Sequence, residues 1–90
     1  MRDLKDIRLD LDEIDGKIAA LLAKRMDLSI EVAKSKKASG KAILDEAREA
    51  QKLESVAALV EDSKKDGVKE VFKTIMAESR KIQEKEHEKQ

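Results

Sequence analysis

"LKDIRLDLDEIDGKIAALLAKRMDLSIEV", residues 4–32, is the stretch whose reading decides the fold. Leu4, Ile7, Leu11, Ile14, Ile18, Leu21, position 25, Leu28 and Val32 are separated by alternating threes and fours, the seam of a helix sustained over four heptads. The seam passes Gly16 without a change of phase. The helix therefore reads as continuous over residues 3–36, although a glycine in a helix interior costs about 1 kcal/mol relative to alanine. At 1.5 Å per residue it is about 50 Å long, whereas a compact domain of this size has a radius of gyration near ~12 Å. A helix that overshoots its own domain leaves Leu4, Ile7 and Leu11 wet unless a second chain covers them. The simplest cover is a two-fold partner whose first helix does the same in return, an intertwined homodimer.

Outward from that helix the chain has few punctuators. Proline is absent, and glycine occurs only at 16, 40 and 67. Helix formers dominate and strand-like alternation is missing, so the fold class is all-α: one domain over 1–90, with further helices over 43–62 and 68–86. "KKASGKA" (36–42) and "DSKKDG" (62–67) read as the turns, each with a glycine suited to stop a helix. Twenty basic and twenty acidic side chains cancel, which argues against nucleic acid or an anionic membrane as partner. No cysteine and one histidine leave no disulfide, thiolate or metal cluster to propose. The amino terminus alternates charges where a signal peptide needs an apolar run, and no stretch approaches the roughly 20 apolar residues of a membrane span. A soluble cytoplasmic protein is expected.

Each helix interrupts its core stripe with polar groups. Position 25 of the seam is an arginine, and Lys36 lies near the end of the same helix. In "LDEAREAQK" (44–52), Arg48, Glu49 and Lys52 fall within about 60° of Asp45 on a helix turning about 100° per residue, the sector that Val56, Leu59 and Val60 occupy later. The third helix carries Ser79 within, and Gln83 beside, a stripe of Val68, Val71, Phe72, Ile75 and Ile82. Separately each has an ordinary reading: a snorkelling arginine, a capping Asp45, an i,i+3 ion pair with Arg48, hydrogen bonds for Ser79 and Gln83, a solvated "KSKK" (34–37). His87, in "EKEHEKQ", reads as solvated and silent. Their coincidence is not explained that way, because burying unpaired ions costs several kcal/mol each. A small dicarboxylate held among them would account for the cationic excess.

In order and spacing these residues resemble the all-helical chorismate mutases, over nearly the whole chain. "RLDLDEIDGKIAALLAKRMDLSIEVAKSK" is similar to the family's first helix, with Arg8 at the position that reaches the partner's site, Arg25 at the inward arginine and Lys36 at the lysine near the helix end. "LDEARE" resembles the start of the second helix, with Asp45, Arg48 and Glu49 on its acid, arginine and acid. "AESRKIQ" resembles the third helix, with Ser79 and Gln83 at its polar pair. Ala42 departs from the pattern, standing where many relatives have proline.

The resemblance implies an isomerase that rearranges chorismate to prephenate, on the way to phenylalanine and tyrosine. One pericyclic step breaks an ether C–O bond and forms a C–C bond, with no proton, hydride or nucleophile exchanged, so no metal or other cofactor is called for. On that basis Arg25 and the partner's Arg8 take the two carboxylates, with a hydrogen bond from Ser79. Arg48 braces the acids and adds positive potential, and Glu49 with the Asp45 region receives the ring hydroxyl. Lys36 and Gln83 meet the ether oxygen, where negative charge grows. Catalysis is thus expected from Lys36, Gln83, Arg25 and Glu49. Two alternatives stand beside this one: a related lyase that eliminates pyruvate from isochorismate, and a helical dimerisation module with no ligand.

Overall fold

The computed structural model describes residues 1–89. Three helices follow one another: α1 Leu4–Ser39, α2 Glu46–Ala57 and α3 Asp62–Glu88. Contacts 29 with 79 and 37 with 89 place α3 parallel to the second half of α1. Pairs 49 with 80 and 54 with 69 set α2 antiparallel to α3. α3 packs on both other helices, and α1 and α2 do not pack on each other.

α1 runs unbroken through Gly16 and, at 36 residues, sets the 55 Å length of the molecule. The radius of gyration is 16.4 Å, well beyond the roughly 12 Å of a compact chain of this length. Along its first half nothing among the described residues covers the seam: Leu4, Ile7, Leu11, Ile14, Ile18 and Leu21 are all exposed. The helix stops where "KKASGKA" places a stop. Gly40 adopts φ 70°, a left-handed conformation that strains any residue with a Cβ, and Lys41 N–H and Gly40 N–H return to the carbonyls of Lys36 (2.8 Å) and Lys37 (3.3 Å).

The second turn differs from the expectation. α2 ends at Ala57 rather than 62, and the chain turns through Ala58, Leu59 and Val60, closed by Leu59 N–H to Val56 O (3.1 Å) and Val60 N–H to Ala57 O (3.3 Å). No residue there has positive φ, so the turn needs no glycine and leaves no such mark in the sequence. "DSKKDG" is not a turn but the start of α3, with Gly67 inside the helix. Its polar residues pair along the helix: Asp62 with Lys65 (3.1 Å), and Glu61, just before the helix, with Lys64 and the Ser63 hydroxyl. Lys64 and then Ser63 hold the Glu61 carboxyl below its ordinary pKa. The stripes also shift: Leu59 and Val71 are exposed, while Met76, outside the expected stripe, is buried.

Among the described residues no helix is long and apolar enough to cross a membrane.

Candidate active site

Between the three helices lies a cavity of about 450 Å³, within the range of small-molecule sites. It gathers Arg25 and Lys36 from α1, Asp45, Arg48 and Glu49 from the start of α2, and Ser79 and Gln83 from α3. These are seven of the eight residues expected to form a site; Arg8 lies outside it, exposed on the uncovered half of α1. Leu28, Val32, Ile43 and Met76 supply apolar wall, and Lys52 and Arg80 add two cations. Five cationic side chains thus face two carboxylates across one cavity, a bias suited to an anionic ligand.

Each wall has a local cause. Asp45 caps α2: its side chain accepts from Arg48 N–H at 3.0 Å, which fixes the first turn and hence the direction of Arg48 and Glu49. Lys36 comes from the last turn of α1 and donates to Ile43 O at 2.5 Å, tying its ammonium to the loop that leads into α2. Arg48 differs from the expected brace. It is exposed and donates to Gln51 Oε1 at 3.2 Å, whereas the guanidinium that holds Glu49 is Arg80, whose Nη1 donates to both carboxylate oxygens. Neither Arg25 nor Arg48 has a carboxylate partner among the described residues, so both guanidinium groups are open to an anion.

A directed chain of hydrogen bonds joins α3 to α1. The Ser29 hydroxyl donates its proton to Arg25 O at 3.0 Å, so in its 2.6 Å contact with Ser79 it can only accept. Ser79 is then the donor, and its own oxygen accepts from Gln83 Nε2 at 3.2 Å. The second proton of Gln83 Nε2 is not used in this chain, and its buried Oε1 has no partner. An orphaned polar atom at the cavity wall marks a place where a ligand's polar group is wanted.

Two residues of the site carry no mark in the apolar stripes. Ser29 follows Arg25 by four residues and so shares its face, a signal that is there to find. Arg80 has none, because its partner Glu49 is 31 residues away on another helix. His87 is not silent: half-buried, it donates from Nε2 to Ala33 O at 2.7 Å, while Lys37 Nζ donates to His87 O at 3.0 Å. Together these tie the end of α3, and Gln83 one turn before it, to the end of α1.

The chorismate mutase type II family model matches residues 7–84, which include all of α2, most of α1 and α3, and every residue of this cavity. The chain belongs to that family. It is an isomerase that converts chorismate to prephenate, in the pathway to the aromatic amino acids. No curated protein and no solved structure matches it. For a mutase the cavity is apt: its guanidinium groups suit a dicarboxylate, and its size suits one small ring.

Proposed function

We propose that the mutase works as an intertwined two-fold homodimer whose two cavities are each completed by the partner subunit's Arg8. The carrying observation is the uncovered seam of α1, from Leu4 to Leu21, on the same half-helix as Arg8. Covering that seam with a second α1 removes from water the exposed part of six large apolar side chains, worth for each roughly half of the ~1.5–3 kcal/mol that full burial contributes. It also delivers a fourth arginine to a cavity that already holds Arg25 and Arg48, with no carboxylate partner among the described residues, beside the paired Arg80.

In this reading Arg25 and the partner's Arg8 grip the two carboxylates and hold chorismate folded, so that the carbons to be joined lie close before reaction. When chorismate binds, Ser79 turns its single hydroxyl proton from Ser29 to a carboxylate, and Arg48 contributes positive potential from the cavity rim. Glu49, beside the capped Asp45 turn, accepts the ring hydroxyl. Lys36 and Gln83 donate to the ether oxygen, and their bonds strengthen as its C–O bond breaks and negative charge accumulates there. Electrons move within the substrate alone, so the side chains bind and orient without exchanging protons.

Hybrid dimers test the shared site. Arg8→Ala and Arg25→Ala chains, each inactive alone, are unfolded together and refolded, and chorismate turnover is followed by the loss of its ultraviolet absorbance. A hybrid holds one site with both arginines intact, so activity returns. Confirmed heterodimers with no recovery overturn the shared site.

A further inference from the structure

We infer that Arg80 is a positioning residue for the reaction: it holds the Glu49 carboxylate in place to accept the substrate's ring hydroxyl. This rests on the assignment of Glu49 to that hydroxyl. α2 is only 12 residues long and packs on α3 alone, yet it carries Asp45, Arg48 and Glu49 into the cavity. Two side-chain ion pairs pin it to α3. Lys69 with Glu54 (2.9 Å) is exposed on its acidic side, while Arg80 with Glu49 is about one-third exposed or less on both sides (31% and 26%) and lines the cavity.

The geometry of the second pair suits positioning. One guanidinium nitrogen donates to both carboxylate oxygens, which occupies one lone pair on each and leaves the others to accept a hydroxyl. Without Arg80, Lys52 stands three residues on from Glu49 on the same helix, a cation that draws it along α2 rather than towards α3. Arg80 also offsets the negative charge that Glu49 would otherwise present to a dicarboxylate. Sequence position supports the link, since Arg80 follows Ser79, and the backbone that sets one sets the other.

A double-mutant cycle tests this, with kcat and KM for chorismate measured on the dimeric enzyme. Arg80→Met is expected to lower kcat/KM by about tenfold to a hundredfold, the size of effect that misplacing one group produces. In a Glu49→Ala background the same change is expected to lower it by less than about twofold, because nothing remains to position. Arg80→Lys keeps a cationic donor and recovers most of the loss. Should Arg80→Met fail to fold, Arg80→Gln, which keeps a neutral amide donor but loses the charge, takes its place in the cycle. Equal losses in both backgrounds overturn the proposal, whether Arg80 touches substrate directly or serves only the fold; so does a fully active Arg80→Met. If Glu49→Ala alone is as active as wild type, the hydroxyl assignment fails first and the positioning role goes with it.

Discussion

Replacing Gln83 by glutamate changes one atom's chemistry and almost nothing of its shape. The wild-type amide donates at any ordinary pH, whereas a carboxyl donates only while protonated. Position 83 is 7% exposed, so a charge there gains little from solvent. Its one hydroxyl neighbour is Ser79, whose proton goes to Ser29, and one of the three Lys36 Nζ protons goes to Ile43 O. Burial with so few donors raises the introduced carboxyl above its ordinary value of about 4.3. With Lys36 and the other cations of the cavity around it, it is nevertheless ionised near neutrality and, on the proposed role of position 83, faces the oxygen on which negative charge grows. The loss expected is that of one oxyanion donor, about 10²–10³ in turnover or about 2.7–4 kcal/mol. As the solution is acidified the carboxyl protonates and turnover rises, while wild type stays flat and Gln83→Ala stays poor. Stability follows the same sign: a folded-state pKa above the unfolded one lets the variant keep its stability at low pH and lose it as pH rises through the folded value. Chorismate turnover and thermal unfolding against pH, on all three proteins, give both readouts. A glutamate variant that tracks wild-type turnover across the range refutes the role of Gln83 at the ether oxygen.

The glycines separate the two descriptions of α3. Gly67 lies inside the helix with open space where an added methyl would sit, so Gly67→Ala is expected to stabilise by about 0.5–1 kcal/mol in urea unfolding. Gly40→Ala, at φ 70°, is expected to destabilise by about 1–2 kcal/mol; a destabilised Gly67→Ala would restore the turn that the sequence suggests. His87→Ala removes a bond to Ala33 O and is expected to reduce stability by about 0.5–1.5 kcal/mol in the same measurement. An unchanged unfolding midpoint would return His87 to the solvent.

What is legible in the sequence follows from what its signals encode. α1 is readable because a period sustained over four heptads outweighs one glycine, and the stop at Gly40 because a left-handed residue favours one side chain above all others. The second turn is not, since its backbone stays in conformations open to every residue. "DSKKDG" misleads because serine, aspartate and lysine serve a turn and a first helical turn equally well; only pairing such as Asp62 with Lys65 tells them apart. At the site, Arg25, Asp45, Arg48, Glu49 and Ser79 betray themselves by breaking an apolar stripe, Gln83 lies beside one and Lys36 is marked by the family resemblance; all seven line one cavity. Their partners carry no such mark: Glu49 is held by Arg80 rather than Arg48, and Ser79 turns to Ser29, because such choices depend on which helices meet and in what register.

The positions buried within this one chain are shared between packing and chemistry. Among the described residues the buried hydrophobics are Ala33, Val56, Ala57 and Met76, all small but one, and beside them Ser29 and Gln83 are buried as polar groups. No large side chain among them is fully enclosed. A core so slight cannot offset the entropy of ordering three helices, which runs to roughly 1–2 kcal/mol per residue for the backbone alone. The apolar area that would do so is the exposed seam of α1. The half-helix that needs a partner for its stability is also the one that carries Arg8, so in the proposed dimer covering the seam and completing the site are a single event. In that proposal the coupling accounts for an α1 much longer than its own domain needs: its first half would belong, in packing and in chemistry, to the other subunit.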